Sequence, residues 1–163
     1  MSRLDAFIQR VQAQRVLLNW AAAEIALRPG LVLELGLGNG RTYDHLRELL
    51  PDRTIYVFDR EARAHPTSMP KEEALILGEM QQTLPQFAAQ HGRSAILVHA
   101  DATTGVPEVD RVRLAWLPGA IAALTCPEGI VLSDSSLADP SLAAVPVPQE
   151  IPPGRYFVYR RVG

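Results

Sequence analysis

One segment constrains the fold more than any other: Leu31-Val-Leu-Glu-Leu-Gly-Leu-Gly-Asn-Gly-Arg41. A continuous apolar run enters three glycines at two-residue spacing, Gly36, Gly38 and Gly40, with Leu37 and Asn39 between them. A helical pattern follows, with Tyr43, Leu46, Leu49 and Leu50 on one face. An apolar run of this length bounded by glycines reads as a buried strand, and glycine permits backbone conformations that other residues avoid. Strand, glycine turn and helix together bring backbone close to a ligand at the carboxyl edge of a parallel sheet.

The rest of the chain repeats the alternation. Residues 3–27 carry a helical stripe of Leu4, Phe7, Ile8, Val11, Arg15 and Leu18, ended by Pro29-Gly30. Further apolar strands are expected at 54–58, 74–77, 95–98 and 129–132, separated by helices at about 79–90 and 107–125. Pro118-Gly119 is expected to interrupt the last of these helices. The tail holds Pro140, Pro146, Pro148, Pro152 and Pro153, then Arg155-Tyr-Phe-Val-Tyr159. It reads as an antiparallel hairpin whose proline-bearing strand lies at a sheet edge, where a missing N–H does no harm. Strands alternating with helices predict a doubly wound α/β fold with a mostly parallel sheet covered on both faces. The expected organisation is one domain over 1–163: an N-terminal helix over 1–30, a binding core over 31–134 and a C-terminal hairpin over 135–163.

Composition limits the partners. The chain has 163 residues, 47% of them hydrophobic and 21% charged, with a formal net charge of -2. That balance suits a globular domain and gives no electrostatic footprint for nucleic acid or an anionic membrane. Lys71 is the only lysine, and the arginines are scattered. Cys126 is alone, which rules out an intrachain disulfide. No signal peptide or membrane span is apparent, so a cytoplasmic location is expected.

The predicted strand ends carry polar residues in series: Glu34 to Gly40, Asp59, Gly78-Glu79 and Asp101. A carboxylate at the end of the second strand suits the two hydroxyls of a ribose. Glu34 ahead of the glycines, Asp59 and Gly78-Glu79 resemble the nucleotide-binding half of class I S-adenosylmethionine-dependent methyltransferases. The likeness runs from about Leu31 to Asp134 and is greatest to a small bacterial branch with little beyond the core. The resemblance implies a Rossmann-like sheet of seven strands with a C-terminal antiparallel hairpin, and S-adenosyl-L-methionine as cofactor.

It also implies roles for individual residues. Gly36, Leu37, Gly38, Asn39 and Gly40 would pass the methionine portion of the cofactor, with Glu34 beneath it helping to hold the ammonium group. Asp59 would bind the ribose, Glu79 the adenine amino group and the Met80 backbone the ring edge, beside Gly78. Asp101 would close the pocket near the sulfonium. Arg60, next to Asp59, leaves open which side chain covers the adenine face. On the residues alone, Asp59 and Glu79 also fit helix caps, and Asp101 fits an Asx turn with Thr103 or Thr104.

Methyl transfer needs a general base only when the acceptor must lose a proton. The candidates at strand ends are His99, Asp101 and Asp134; His99 also reads as a packed core histidine. Asp101 and Asp134 would match two Mg2+ ligands of metal-dependent O-methyltransferases, but Ser135 falls where the third should be, so no metal is expected. Arg15, Asn19 and Trp20 could face the cofactor from the first helix, although that helix reads more simply as packing. The short flanking segments predict a small-molecule methyl acceptor, or a pocket completed in a homodimer or higher homo-oligomer, or by a partner protein. A cofactor-binding subunit or sensor without catalysis is the alternative. An NAD-dependent oxidoreductase fits less well, because Arg41 stands where GxGxxG needs its last glycine.

Overall fold

The computed structural model describes residues 1–163. In chain order the helices and strands are α1 (Arg3–Glu24), β1 (Leu31–Leu35), α2 (Arg41–Leu49), β2 (Ile55–Asp59), β3 (Leu75–Leu77), α3 (Met80–His91), β4 (Ala95–Ala100), α4 (Pro107–Leu114), α5 (Leu117–Leu124), β5 (Thr125–Ser133), β6 (Leu142–Val145) and β7 (Phe157–Arg161). One seven-stranded sheet runs in the order β3-β2-β1-β4-β5-β7-β6. Strands β1 to β5 are parallel, and β7 lies antiparallel to both β5 and β6. This is the expected doubly wound fold with its C-terminal hairpin. The strand order reverses direction at β1, whose neighbours are β2 and β4, which places a ligand-binding crevice above their carboxyl ends.

Two cores cover the sheet. On one face α1 and α2 bury Leu17, Leu18, Ile25 and Leu46 against Val32, Leu97 and Ile130. On the other, α3 and α5 bury Leu84, Phe87, Leu117 and Ile121 against Leu33, Phe58 and Val98. Side chains alternate along each strand, so Glu34 and His99, which are register partners in β1 and β4, point together toward the α1–α2 side.

Four local expectations need correction. First, α1 buries Ala13, Gln14, Leu17, Leu18, Ala21 and Ala22, whereas Leu4, Phe7 and Ile8 are exposed, because its amino-terminal half extends past the apolar core and meets mainly polar partners such as Arg41, Asp101 and Arg155. Its start is set by a capping box: the Ser2 hydroxyl accepts from Asp5 N at 3.0 Å and Ser2 N donates to Asp5 Oδ2 at 3.2 Å. Second, the helical break falls at Ala115-Trp116 rather than at Pro118-Gly119. Pro118 lies in the first turn of α5, where its missing N–H has no intrahelical partner to lose. Third, β5 begins at Thr125, and its pairing with β4 slips between Ala95 and Leu97, which accommodates Glu128 at φ 62°. Fourth, the edge strand β6 ends at Val145, so Pro146 and Pro148 follow the strand instead of lying in it. No helix is long and apolar enough to cross a membrane.

Candidate active site

The glycine turn joins β1 to α2, and its glycines answer different steric demands. Gly36 has φ 96°, and a Cβ built on it would lie 2.3 Å from the Asp101 carbonyl oxygen. Gly40 has φ 86°, and a Cβ there would lie 2.8 Å from Ser68 Cβ and 2.9 Å from Ala64 Cβ. Gly38 has φ 50° and nothing within 4 Å of its Cβ position. The outer two are therefore required by the fold itself, while Gly38 leaves open space on the ligand side.

Three hollows meet at Gly38. The first, of 220 Å3, is walled by Gly36, Asp59, Glu79, Met80, Asp101 and Trp116, among others. A second, of 100 Å3, shares Gly36, Gly38 and Asp101 and extends under Phe7, Arg10 and Gln14 of α1. A third, of 170 Å3, extends over Asp59 to Arg60 and Arg63. Together they form a groove across the carboxyl ends of β1, β2 and β4. The largest cleft of the molecule, 580 Å3, lies elsewhere, at the amino end of β2 around Thr54 and Ile55, and contains none of the strand-end residues.

Asp59 bends back to the turn. Its Oδ2 accepts from Leu37 N at 2.8 Å and from Gly38 N at 3.2 Å, and its Oδ1 accepts from Glu61 N at 3.3 Å. It is half-buried, with the groove on its open side. Glu79 precedes α3, but its side chain makes no capping bond; it pairs instead with Arg60 at 3.6 Å across the groove mouth. Gly78 N donates to the Asp59 carbonyl, joining the ends of β2 and β3. Asn39 is exposed, and its carbonyl accepts from His65 N at 3.1 Å.

Glu34 and His99 are both fully buried. Glu34 Oε1 accepts from the Thr42 hydroxyl, and its Oε2 is 2.7 Å from His99 Nδ1. The other ring nitrogen of His99 is 2.5 Å from the Tyr156 hydroxyl. Burial pushes the His99 pKa down, but the Glu34 carboxylate outweighs it, with Asp101 and Asp134 adding, and the value is raised above 6.5. The Tyr156 phenol is held well above its ordinary range, first by burial and then by the nearby carboxylates.

Asp101 takes Gln14 Nε2 on its Oδ2 at 2.9 Å, with Arg10 Nη2 at 3.6 Å. Asp134 Oδ2 accepts from Thr103 N at 3.0 Å and from the Thr103 hydroxyl. Burial pushes the Asp134 carboxyl up, and the charge of adjacent Asp101 adds to this against the Thr103 bonds. Thr103 is thus the partner of Asp134. Thr104 Oγ1 and N bond Asp110 at 2.9 and 2.7 Å, bracing the loop before α4. The Asx turn weighed for Asp101 is absent.

The structure gathers Gly36, Leu37, Gly38, Asp59, Arg60, Glu79, Met80 and Asp101 around the groove. It does not bring Arg15, Asn19 or Trp20 there. Arg15 faces the segment at Glu150–Pro152, Asn19 bonds His45 at 2.8 Å, and Trp20 packs under Arg160. Gln14, Thr42, Trp116 and Tyr156 were invisible as site residues in the sequence.

A donor set of this kind suits S-adenosylmethionine. Open space over Gly38 admits a ligand against backbone, and the first hollow offers it the carboxylates of Asp59, Glu79 and Asp101 beside the guanidinium groups of Arg60 and Arg113.

Comparison with known proteins agrees. A family model described as S-adenosyl-L-methionine methyltransferase matches residues 1–161. No curated protein matches. The solved structure of an S-adenosyl-L-methionine methyl transferase from Silicibacter pomeroyi DSS-3 is 41% identical, with 99% of each chain covered and a TM-score of 0.94. TrmN from Thermus thermophilus is 21% identical over 91% of this chain and 49% of its own, with a TM-score of 0.62. A Burkholderia thailandensis 1,6-didemethyltoxoflavin-N1-methyltransferase, solved with S-adenosylhomocysteine, is 15% identical over 93% and 79%, with a TM-score of 0.57. The latter two share the fold. The chain belongs to the S-adenosyl-L-methionine methyltransferase family, and it is an enzyme that uses S-adenosyl-L-methionine.

Proposed function

We propose that this methyltransferase acts on a small-molecule acceptor, with the cofactor lying in the groove that crosses Gly38. The observation that supports this reading is the small size of the groove: its hollows are 100 to 220 Å3, and α1 and the loop before α4 border it. Asp59 would hold the ribose hydroxyls, Glu79 the adenine amino group, and Met80 and Trp116 the ring. Asp101 would face the charged end. Glu34 is enclosed and would act on the cofactor only through Thr42 and the turn.

S-adenosylmethionine supplies a methyl group on a sulfonium, which leaves readily when an acceptor lone pair displaces it. The chain's own part is alignment and exclusion of water. Where the acceptor loses a proton, Asp101, which lines the groove, would take it, with Asp134 adjacent to Asp101 rather than in the groove wall. His99 has both ring nitrogens engaged in the interior and cannot reach an acceptor.

Leu4, Phe7 and Ile8 near the start of α1 are exposed and Phe7 lines the groove, and a second copy of the chain covering them would complete the acceptor pocket. Incubation with methyl-labelled S-adenosylmethionine and cell extract tests the acceptor class. After unreacted cofactor is separated chromatographically and a control without enzyme is subtracted, label on a new species that passes an ultrafiltration membrane supports a small molecule, whereas label retained with protein or RNA overturns that reading. Sedimentation equilibrium showing only monomer would remove the second copy.

A further inference from the structure

Asp101 and Asp134 are neighbouring carboxylates whose charges repel, and each has its own donor. Asp134 has the amide and hydroxyl of Thr103, in its own loop. Asp101 has Gln14, from a helix far away in sequence. Gln14 is only 5% exposed, and its Nε2 also lies 3.5 Å from the Tyr156 hydroxyl. From there the chain of bonds continues through His99 to Glu34 and ends on Thr42 at the start of α2.

One proton arrangement satisfies every member. The Thr42 hydroxyl and His99 Nδ1–H donate to Glu34, the Tyr156 hydroxyl donates to His99 Nε2, and the two hydrogens of the Gln14 amide go to Tyr156 and Asp101. A buried network with all members satisfied holds its groups in one geometry. The chain ties α1, β1, α2, β4 and the residue preceding β7 to a single carboxylate in the groove.

We propose that Gln14 is a positioning residue: it fixes Asp101 at the charged end of the cofactor, and Tyr156, His99 and Glu34 fix Gln14. This rests on the reading that Asp101 faces the sulfonium. Without Gln14, Asp101 Oδ2 keeps only Arg10, 3.6 Å away, and its carboxylate is no longer held in one orientation at the groove. The alternative is that the chain of bonds only packs α1 onto the sheet.

S-adenosylmethionine carries the sulfonium charge and S-adenosylhomocysteine does not, so the ratio of their dissociation constants reads the placement of Asp101 separately from stability. Calorimetric titration with both ligands, at a temperature where each variant is folded by circular dichroism, provides the test. Gln14→Leu removes both hydrogen bonds at similar bulk, and Tyr156→Phe breaks the chain without altering α1. Gln14→Leu is expected to weaken S-adenosylmethionine relative to S-adenosylhomocysteine by about tenfold, the scale of a hydrogen bond to a charged group, and Tyr156→Phe by about threefold. Equal losses for both ligands, or none, in either variant overturn the proposal; should Gln14→Leu not fold, Tyr156→Phe decides alone. Asp101→Asn is the reference. An unchanged ratio in that variant removes the sulfonium assignment itself, and no binding of either ligand to the unaltered protein removes the groove as the cofactor site.

Discussion

Substituting the first and second glycines of the turn separates what the fold needs from what the ligand needs. In Gly36→Ala the new Cβ lies 2.3 Å from the Asp101 carbonyl oxygen, whereas carbon and oxygen normally approach no closer than about 3.3 Å. The strand ends must therefore part by about 1 Å. Neither can do so freely, because Gly36 N donates to Phe58 O at 2.9 Å and Asp101 N donates to Leu35 O at 3.0 Å. Forcing that displacement costs about 1–3 kcal/mol. Holding alanine at φ 96° adds about 1–3 kcal/mol of backbone strain. The sum is about 4 kcal/mol, which for a chain of this size lowers the melting temperature by roughly 8–16 °C. Gly38→Ala carries only the strain of a left-handed alanine, about 1–2 kcal/mol, and a fall of roughly 5 °C. Its methyl instead projects into the groove and should weaken S-adenosylhomocysteine about tenfold. Melting by circular dichroism and titration calorimetry on both variants measure the two effects. A Gly36→Ala protein that melts no lower than Gly38→Ala would refute the steric argument, and a Gly38→Ala protein with unaltered affinity would show that the ligand does not pass over that residue.

Asp59 has two duties, so its substitutions should differ. Asp59→Asn keeps an acceptor for Leu37 N and Gly38 N, and is expected to hold its melting temperature while losing about tenfold in S-adenosylhomocysteine affinity. Asp59→Ala leaves those donors unmatched and should also destabilise by about 1–3 kcal/mol in urea unfolding; equal stability of the two variants would deny the turn-holding role. The pH dependence of stability follows from His99 and Asp134. A histidine raised above 6.5 contributes stability that is complete below about 6.5 and is lost as pH rises through the folded value; a buried carboxyl raised above 3.8 has the same sign, at its own range. Urea midpoints should fall as pH rises above about 6.5, and His99→Gln should flatten the fall; an unaltered slope in that variant would exclude His99 as its source.

The fold was legible because the apolar strands and their glycine or proline borders are local. Leu31–Leu35 and Ala95–Ala100 announce themselves as buried strands, and the polar residues just beyond them mark the carboxyl edge. Phase within α1 was not legible, because the pattern gives Leu4, Phe7 and Ile8 the weight of core residues when all three lie outside the apolar core. The true buried face includes Gln14, a polar residue that earns no place in an apolar stripe yet is satisfied by partners at Asp101 and Tyr156. Arg53 is a similar case: its guanidinium donates to the carbonyls of Ile25 at 2.7 Å and Arg28 at 2.6 Å, closing the corner between α1 and β1, and nothing in its neighbourhood in sequence signals that role. Glu34 was visible as an acidic residue ahead of the glycines, but its partner His99 could be paired with it only once the β1–β4 register was known.

The Glu34–His99 pair also shows why stability alone does not explain the network. Their strand neighbours on the opposite face are leucines and Val98, so the sheet can pack apolar residues at this level. Desolvating a carboxylate and an imidazole in the interior rarely yields net stability over apolar residues of similar size, yet removing one partner alone costs about 3–5 kcal/mol. Glu34→Met and His99→Leu should therefore each be poorly stable, while the double variant recovers, with a coupling energy of about 3 kcal/mol in urea unfolding. A network whose only task is cohesion would be replaced by that double variant without further consequence. If it holds Gln14 and Asp101 in place, the double variant regains the fold but not the preference between charged and uncharged cofactor. A double variant with the ligand ratio of the unaltered protein would assign Glu34 and His99 to packing, and leave Gln14 and Tyr156 to orient Asp101 unaided.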